Sequence, residues 1–330
     1  MPDRPDQNLP PVIAPPNVQT AVAAIAADAI HLGIHRRLPT NVEYQTRLGV
    51  GSGTVQQALR ALQAAGALET VSRGHQGRHV VRLDMGRLWS LGQLPPARLI
   101  APPPGPVELY GLLDALQEHF GALGVPHNVV HRRGGRARVE AVRAADADAA
   151  ILSSAAAREL VGTDPELAIE DLGENTYYAP NTVVVLRRPG APQRAGPLRV
   201  GIDHASHDHV RLTEAEFPAG AGIQHIPCHF PTMPVVVLEG RVDAGIWHRL
   251  VLLISPELAG VEVAPLRTAN GLAMRRRLSA AAFVITTRRP ELVAILRSLD
   301  LALLQAHQLE LLRLDARSNS DGLLERYWFG

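Results

Sequence analysis

Lysine is absent from this chain: all 33 of its basic residues are arginines, in a sequence of 330 residues. Together with the abundance of Ala, Gly and Pro, this reads as a bias toward GC-rich codons and not as a nucleic-acid-binding signal. Cysteine is reduced to one residue, Cys228, which excludes an internal disulfide and fits a reducing compartment. No apolar run approaches the length of a membrane span, and the first residues lack a charged-then-apolar leader pattern. The expected location is the cytoplasm, with no membrane partner. A strong charge of either sign is also missing. The net charge is +1, so any DNA binding has to come from local charge.

Enzyme signatures are missing as well. There is no Ser–His–Asp order, no G-x-x-x-x-G-K phosphate loop and no dinucleotide fingerprint. Two clusters look chemical by composition. In Asp203-His204-Ala205-Ser206-His207-Asp208-His209, the two histidines His207 and His209 lie two apart and would diverge on a helix, so no metal is expected. Cys228 stands between His225 and His229, yet a lone cysteine after Pro227 at an apolar strand end is more often a packing residue than a nucleophile. The expectation is therefore a non-enzyme with no catalytic residue, no metal and no cofactor.

What is present is enough chain for two domains and, at 46% hydrophobic residues, a sizeable core. The organising stretch is Leu38 to Leu83. Thr40 followed by Glu43 is a capping-box pattern that opens a short helix, with Val42, Tyr44 and Leu48 expected to face a small core, and Gly49 ends it. Ser52 is expected to cap a second helix, on which Val55, Ala58, Leu59 and Leu62 recur at helical spacing. Its other face, Thr54, Gln56, Gln57, Arg60 and Gln63, carries no acid and so meets phosphates without repulsion; glutamine also suits the adenine edge in a major groove. After Gly66, Leu68 to Val71 and His79 to Leu83 alternate like strands around a glycine-rich basic tip with Arg73, His75 and Arg78. Two short helices and a basic hairpin form the pattern of a winged helix-turn-helix reading double-stranded DNA. From Ser52 to Leu83 four arginines face one glutamate, a modest local excess that a homodimer would reinforce.

The stretch LPTNVEYQTRLGVGSGTVQQALRALQAAGAL resembles the winged helix of GntR-type regulators at Leu38-Pro39, Leu48-Gly49-Val50, Gly53-Thr54-Val55, Ala58-Leu59, Leu62 and Gly66. It departs from them in lacking basic residues near Val42 and Ser52 and an Arg-Glu pair near Gln56-Gln57. Nearly the whole chain resembles the YhfZ family of transcription regulators, through the SRGHQGRHVV wing, the VELYGLLDAL helix, and the ADADAAILSS and GRVDAGIWH turns. That resemblance implies an α/β chain, an N-terminal winged helix-turn-helix joined to a two-lobed domain similar to the type-2 periplasmic-binding-protein fold. It implies a ligand-responsive regulator whose effector the motifs do not reveal.

In order, residues 1–16 are expected to be a disordered tail, 17–84 the DNA-binding domain opened by a helix from Asn17 to Leu32, 85–97 a linker, and 98–330 a two-lobed α/β sensor with its second lobe near 190–255. Strands and helices alternate from Arg98 onward, as in a mostly parallel sheet. Ala145–Leu152 and Gly240–Trp247 align as two copies of one helix-Asp-strand turn, which two α/β lobes flanking a cleft would show. Asn181–Arg187 and Ala281–Thr286 are read as strands crossing between lobes, Pro290–Leu314 as one long helix, and Tyr327-Trp328-Phe329 as a docking cluster. Ligands in such folds bind beyond the carboxyl ends of strands, near helix N-termini. That rule selects Pro104 and Gly105, Ser153 and Ser154, Asp203 and His204, and Trp247 and His248, with Tyr177 and Tyr178 closing over them. The expected effector is a small anion. A second reading stays open, in which the two-lobed fold is an enzyme or metabolite carrier and the N-terminal domain an interaction module.

Overall fold

The structure, a computed structural model, describes residues 15–189, 196–220, 222–250, 256–257 and 259–318, with side chains to 314. Most of the expected tail and the Tyr327-Trp328-Phe329 cluster lie outside the described residues. The chain divides into two units. The first holds the residues up to Ala97 together with Phe120–Pro126 and Arg289–Ile295; the second holds the rest.

In the first unit, helix α1 (Pro16–Leu32) opens on Pro16, one residue before the predicted Asn17 cap. Proline suits this place because its fixed φ is already helical and its missing N–H would have had no partner. Its Val22, Ile25, Ala29 and Ile30 are buried and face α3 and α4. Helix α2 (Asn41–Leu48) carries the predicted capping box between Thr40 and Glu43, and Gly49 closes it at φ +65°. Of its three expected core residues only Tyr44 is fully buried; Val42 is 68% exposed. Two residues apart on a helix is about 200°, so Val42 and Tyr44 cannot share a face. Helix α3 (Ser52–Ala64) takes Gly51 and not Ser52 as its N-cap, and buries Val55, Ala58, Leu59 and Leu62. Strands β1 (Leu68–Ser72) and β2 (Arg78–Leu83) pair antiparallel as the wing. Helix α4 (Met85–Leu91), capped by Asp84, occupies the stretch expected to be a linker and buries Leu88 and Trp89. Arg289 lies 5.2 Å over the Trp89 ring and donates to the Pro95 carbonyl.

The second unit is built twice over. Strand β3 (Ala97–Ala101) leads to α5 (Val107–Leu123), β4 (His127–His131), α6 (Gly135–Arg143), β5 (Ala149–Ser153), α7 (Ser154–Val161) and β6 (Leu167–Asp171). Strand β7 (Val183–Arg187) then enters a second sheet, followed by β8 (Leu198–Ile202), α8 (His207–Glu216), β9 (Ile223–Pro227), α9 (Met233–Leu238), β10 (Ala244–His248), β11 (Glu262–Pro265) and α10 (Ala269–Arg277). Strand β12 (Ala281–Thr286) returns to the first sheet before α11 (Pro290–Arg297) and α12 (Leu301–Ser318).

The sheet orders are β4-β3-β5-β12-β6 and β9-β8-β10-β7-β11. They are the same order, and in each the fourth strand is the crossover strand, antiparallel to both neighbours. The second sheet thus draws in strands on both sides of the expected 190–255. The aligned copies from the sequence fall on β5 and β10, third in each sheet. Their aspartates repeat one arrangement. Asp148 accepts from the Arg98 backbone N–H and its guanidinium, at 2.9 and 2.7 Å. Asp243 does the same with Arg199, at 3.0 and 2.7 Å. This is the two-lobed α/β domain that the sequence pattern implied. The predicted helix Pro290–Leu314 breaks at Ser298–Asp300, because the Asp300 carboxylate takes the Ala302 N–H at 2.8 Å and starts α12 afresh.

Candidate interlobe site

Both third strands end in a polar residue, Ser153 on β5 and His248 on β10. Both helices that follow the second strands, β3 and β8, carry an acid at their second position, Glu108 on α5 and Asp208 on α8. The fold places these four crosswise. Asp208 accepts from Ser153 Oγ at 2.8 Å and from the Tyr178 hydroxyl at 3.1 Å. Glu108 faces His248 Nε2 at 3.1 Å and accepts from the Ala179 N–H and the Thr182 hydroxyl. Each lobe therefore offers a buried carboxylate to the other lobe's strand end, and Tyr178 joins the two contacts, its ring 4.8 Å from that of His248.

The two acids differ in charge behaviour. Burial works to raise the Glu108 carboxyl, but His248, the Thr182 hydroxyl and the Ala179 N–H outweigh it and hold it below its ordinary value. Asp208 lacks as much help. Burial prevails there over Ser153, Tyr178 and its cationic neighbours, and its carboxyl is raised. Burial also pushes the Tyr177 hydroxyl up to about 12.

Between these contacts lies a cavity of about 160 Å³. That is room for on the order of ten water molecules. Prolines 102, 103, 104 and 106 from the β3–α5 loop form one wall, and Leu109, Leu212, Phe230 and Ile246 others. Of the residues the sequence selected, Pro104, Ser153, Tyr177, Asp203 and His248 line this cavity; Gly105, Ser154, His204 and Trp247 do not. Gly105 turns its backbone at φ +144°, with Leu250 against the place of a Cβ. Ser154 points to Asp171, and His204 is exposed. Trp247 alternates to the far side of β10 and packs among Val184, Val236 and Val261.

The residues missed from the sequence are Arg133, Arg138 and Asp208, all lining the cavity. Arg138 is 5% exposed. It donates through Nε to the Ile151 carbonyl and through Nη1 to the Arg132 carbonyl. Arg133 pairs with Asp203. The signal for Arg138 was its place on the apolar face of α6, one residue before Val139, where an arginine is out of pattern.

The Asp203–His209 cluster is structural scaffolding for this wall. His209 Nδ1 accepts the Asp203 N–H at 3.0 Å and Nε2 meets the Ile246 carbonyl at 2.9 Å, while burial lowers its pKa; the ring is a neutral spacer. Asp203 also accepts from the Ala205 and Phe230 N–H groups. Burial raises the Cys228 thiol, which sits 4.0 Å from Met233 Sδ, the opposite of an activated nucleophile.

On the winged helix, Thr40, Ser52, Gln56, Gln57, Arg60, Arg73 and His75 are exposed, and Thr54 and Arg78 half-buried. Thr40 is spent on its cap. Gln63 is tied to the wing, donating to Thr70 Oγ1 at 3.0 Å.

Comparison with known proteins gives a match to the YhfZ C-terminal domain over residues 84–319 and to a helix-turn-helix domain over residues 34–80. The chain is 28% identical to the protein YhfZ of Escherichia coli K12 over 230 residues, 70% of this chain and 74% of that one. The crystal structure of YhfZ from Shigella flexneri superposes with a TM-score of 0.52 at 23% identity, covering 70% of this chain and 95% of that one. A structure of Corynebacterium glutamicum OxyR with H2O2 bound gives a TM-score of 0.44 at 13% identity over 92% of this chain and 95% of that one.

Proposed function

We infer that this chain, which belongs to the YhfZ family, works as a ligand-responsive transcription regulator and not as an enzyme. A helix-turn-helix and an effector-like two-lobed domain in one chain fit that class. The finer reading is that a homodimer reads operator DNA through Gln56, Gln57 and Arg60 in the major groove, with Arg73, His75 and Arg78 of the wing against the adjacent backbone. The interlobe cavity then takes a small anionic metabolite. The observation that carries the sensor half is the crosswise pair Glu108–His248 and Asp208–Ser153. Both contacts cross between lobes around the cavity, so a bound molecule changes lobe closure through the same residues that hold it. A ligand shifts the protein between states only by its difference in affinity for them.

The experiment is selection of sites from a random double-stranded DNA pool by the purified full chain, with a salt titration. Enrichment of a two-fold-symmetric site with a steep salt dependence is the expected result. Absence of enrichment, with and without any ligand that stabilises the protein, would remove the regulator reading and favour a metabolite-binding protein.

A further inference from the structure

Three buried carboxylates stand around the interlobe cavity, Glu108, Asp203 and Asp208. Their hydrogen-bond donors differ in kind. Asp203 takes a backbone N–H on each oxygen, Ala205 on Oδ1 and Phe230 on Oδ2, and pairs with Arg133. Glu108 takes the Ala179 N–H and the Thr182 hydroxyl on Oε1, and both its oxygens face His248 Nε2. A backbone N–H cannot turn round and accept, and the Glu108–His248 bond already holds a proton, so a further proton on either acid meets a donor. Asp208 is different. Its donors are two hydroxyls, Ser153 Oγ on Oδ1 at 2.8 Å and Tyr178 on Oδ2 at 3.1 Å. A hydroxyl donates to a carboxylate and, by rotating about its C–O bond, accepts from a carboxylic acid. Asp208 can therefore take a proton and keep both contacts. Burial favours that protonated form.

The charges facing Asp208 are balanced. Arg138 of α6 supports its carboxylate by charge and donates to the Tyr177 hydroxyl. His207, its neighbour on α8, meets Glu159 of α7 at 3.2 Å. Across Tyr178 stand Glu108 of α5 and His248 of β10. Much of the remaining wall is apolar, from the prolines of the β3–α5 loop to Leu109, Leu212 and Phe230. An anion entering so balanced a space adds an uncompensated buried charge, which is costly unless a charge already there is removed.

We propose that the cavity carries one exchangeable negative charge, on Asp208 when no effector is bound and on the effector when it is. One proton from solvent joins Asp208 Oδ2 as the anion enters and departs with it, and no other covalent bond is made or broken. Arg138 passes from the charge of Asp208 to that of the effector. This rests on the reading of the cavity as an anionic effector site and adds the regulation of that site by pH. Above the pH at which Asp208 ionises in the folded protein, binding weakens about tenfold per pH unit; below it, binding is insensitive to pH.

The test is titration calorimetry on the full-length protein from about pH 6 to about pH 9, at each pH in two cationic buffers of different ionisation heat. The probes are acetate, pyruvate and benzoate, with benzamide as the neutral control. An anion that binds is expected to take up close to one proton at the upper end of this range, with the tenfold loss per pH unit, and benzamide none. Asp208→Asn is expected to abolish the uptake and to hold the affinity at its low-pH level throughout. Should Asp208→Asn not fold, Tyr178→Phe decides. It removes one donor to the carboxylate and is expected to move the onset of the pH dependence upward. Anion binding without proton uptake, uptake that persists in Asp208→Asn, or an onset unmoved in Tyr178→Phe overturns the proton linkage and leaves the cavity as an anion site. Binding of none of the anions overturns the anionic reading and the linkage together.

Discussion

Glu108 and Asp208 hold the same position in the two halves of the sensor, each the second residue of the helix after β3 or β8, the second strand of its sheet, and each bonded to the strand end of the opposite lobe. Their proton affinities move in opposite directions.

The first prediction follows from that opposition. The Glu108 pKa is depressed on folding, so its stabilisation is present above the ordinary value of 4.5 and is lost as pH falls through the lower folded value. The Asp208 pKa is raised on folding, so its contribution is greatest below 3.8 and declines as pH rises through the folded value. At pH 7, Glu108→Gln should cost about 3 kcal/mol, since it removes one partner of a buried ion pair. Asp208→Asn should stay within about 1 kcal/mol of the parent or exceed it, because the amide keeps acceptor and volume without the buried charge. Urea unfolding at pH 7 and pH 3 measures both, and equal losses in the two variants would refute the assignment.

Asp148→Asn and Asp243→Asn should behave as one mutation made twice. Each removes a charge-assisted bond to a backbone N–H and to an arginine, Arg98 or Arg199, and should cost about 2 kcal/mol. The two sit in different sheets and pair with different arginines, so the double variant should show the sum within roughly 0.5 kcal/mol. A strongly non-additive double variant would mean that the lobes unfold through a common contact.

For the winged helix, Arg60→Ala and Arg73→Ala should each weaken DNA binding and lower the salt slope by about one. Circular dichroism and any acid-induced thermal shift should not change, since both side chains are exposed. Val42→Arg places a cation on an exposed position of α2 and should raise non-specific affinity. Gln63→Ala should act differently, loosening the wing by removing its bond to Thr70. Fluorescence anisotropy on one operator at four salt concentrations separates these outcomes.

Trp247 supplies a contrast with the cavity residues. Its indole N–H is buried without a hydrogen-bond partner among the described residues. Trp247→Phe forfeits apolar area but also relieves that unsatisfied donor, so stability should change by only about 1 kcal/mol. Ligand response should persist, because the ring faces the core of the second lobe and not the cavity. Loss of ligand binding in a folded Trp247→Phe protein would move the site to the other face of β10.

The sequence by itself determined the local elements. A Thr40–Glu43 box, a left-handed Gly49, and the spacing of Val55, Ala58, Leu59 and Leu62 are interactions within one or two helical turns, so their pattern is visible in the chain. The repeat around Asp148 and Asp243 was legible for the same reason, because both lobes reuse one short motif. Val42, the Ser52 cap and the unbroken helix to Leu314 were misread where one turn more or less, or one capping carboxylate, decides the outcome. Only the tertiary structure decided which strand ends and helix starts meet. Arg138 is separated by some 70 residues of chain from Asp208, and Glu108 by 140 from His248. Their placement depends on two lobes, each with a sheet of the same strand order, meeting around one cavity, a relation between distant segments that no local pattern encodes.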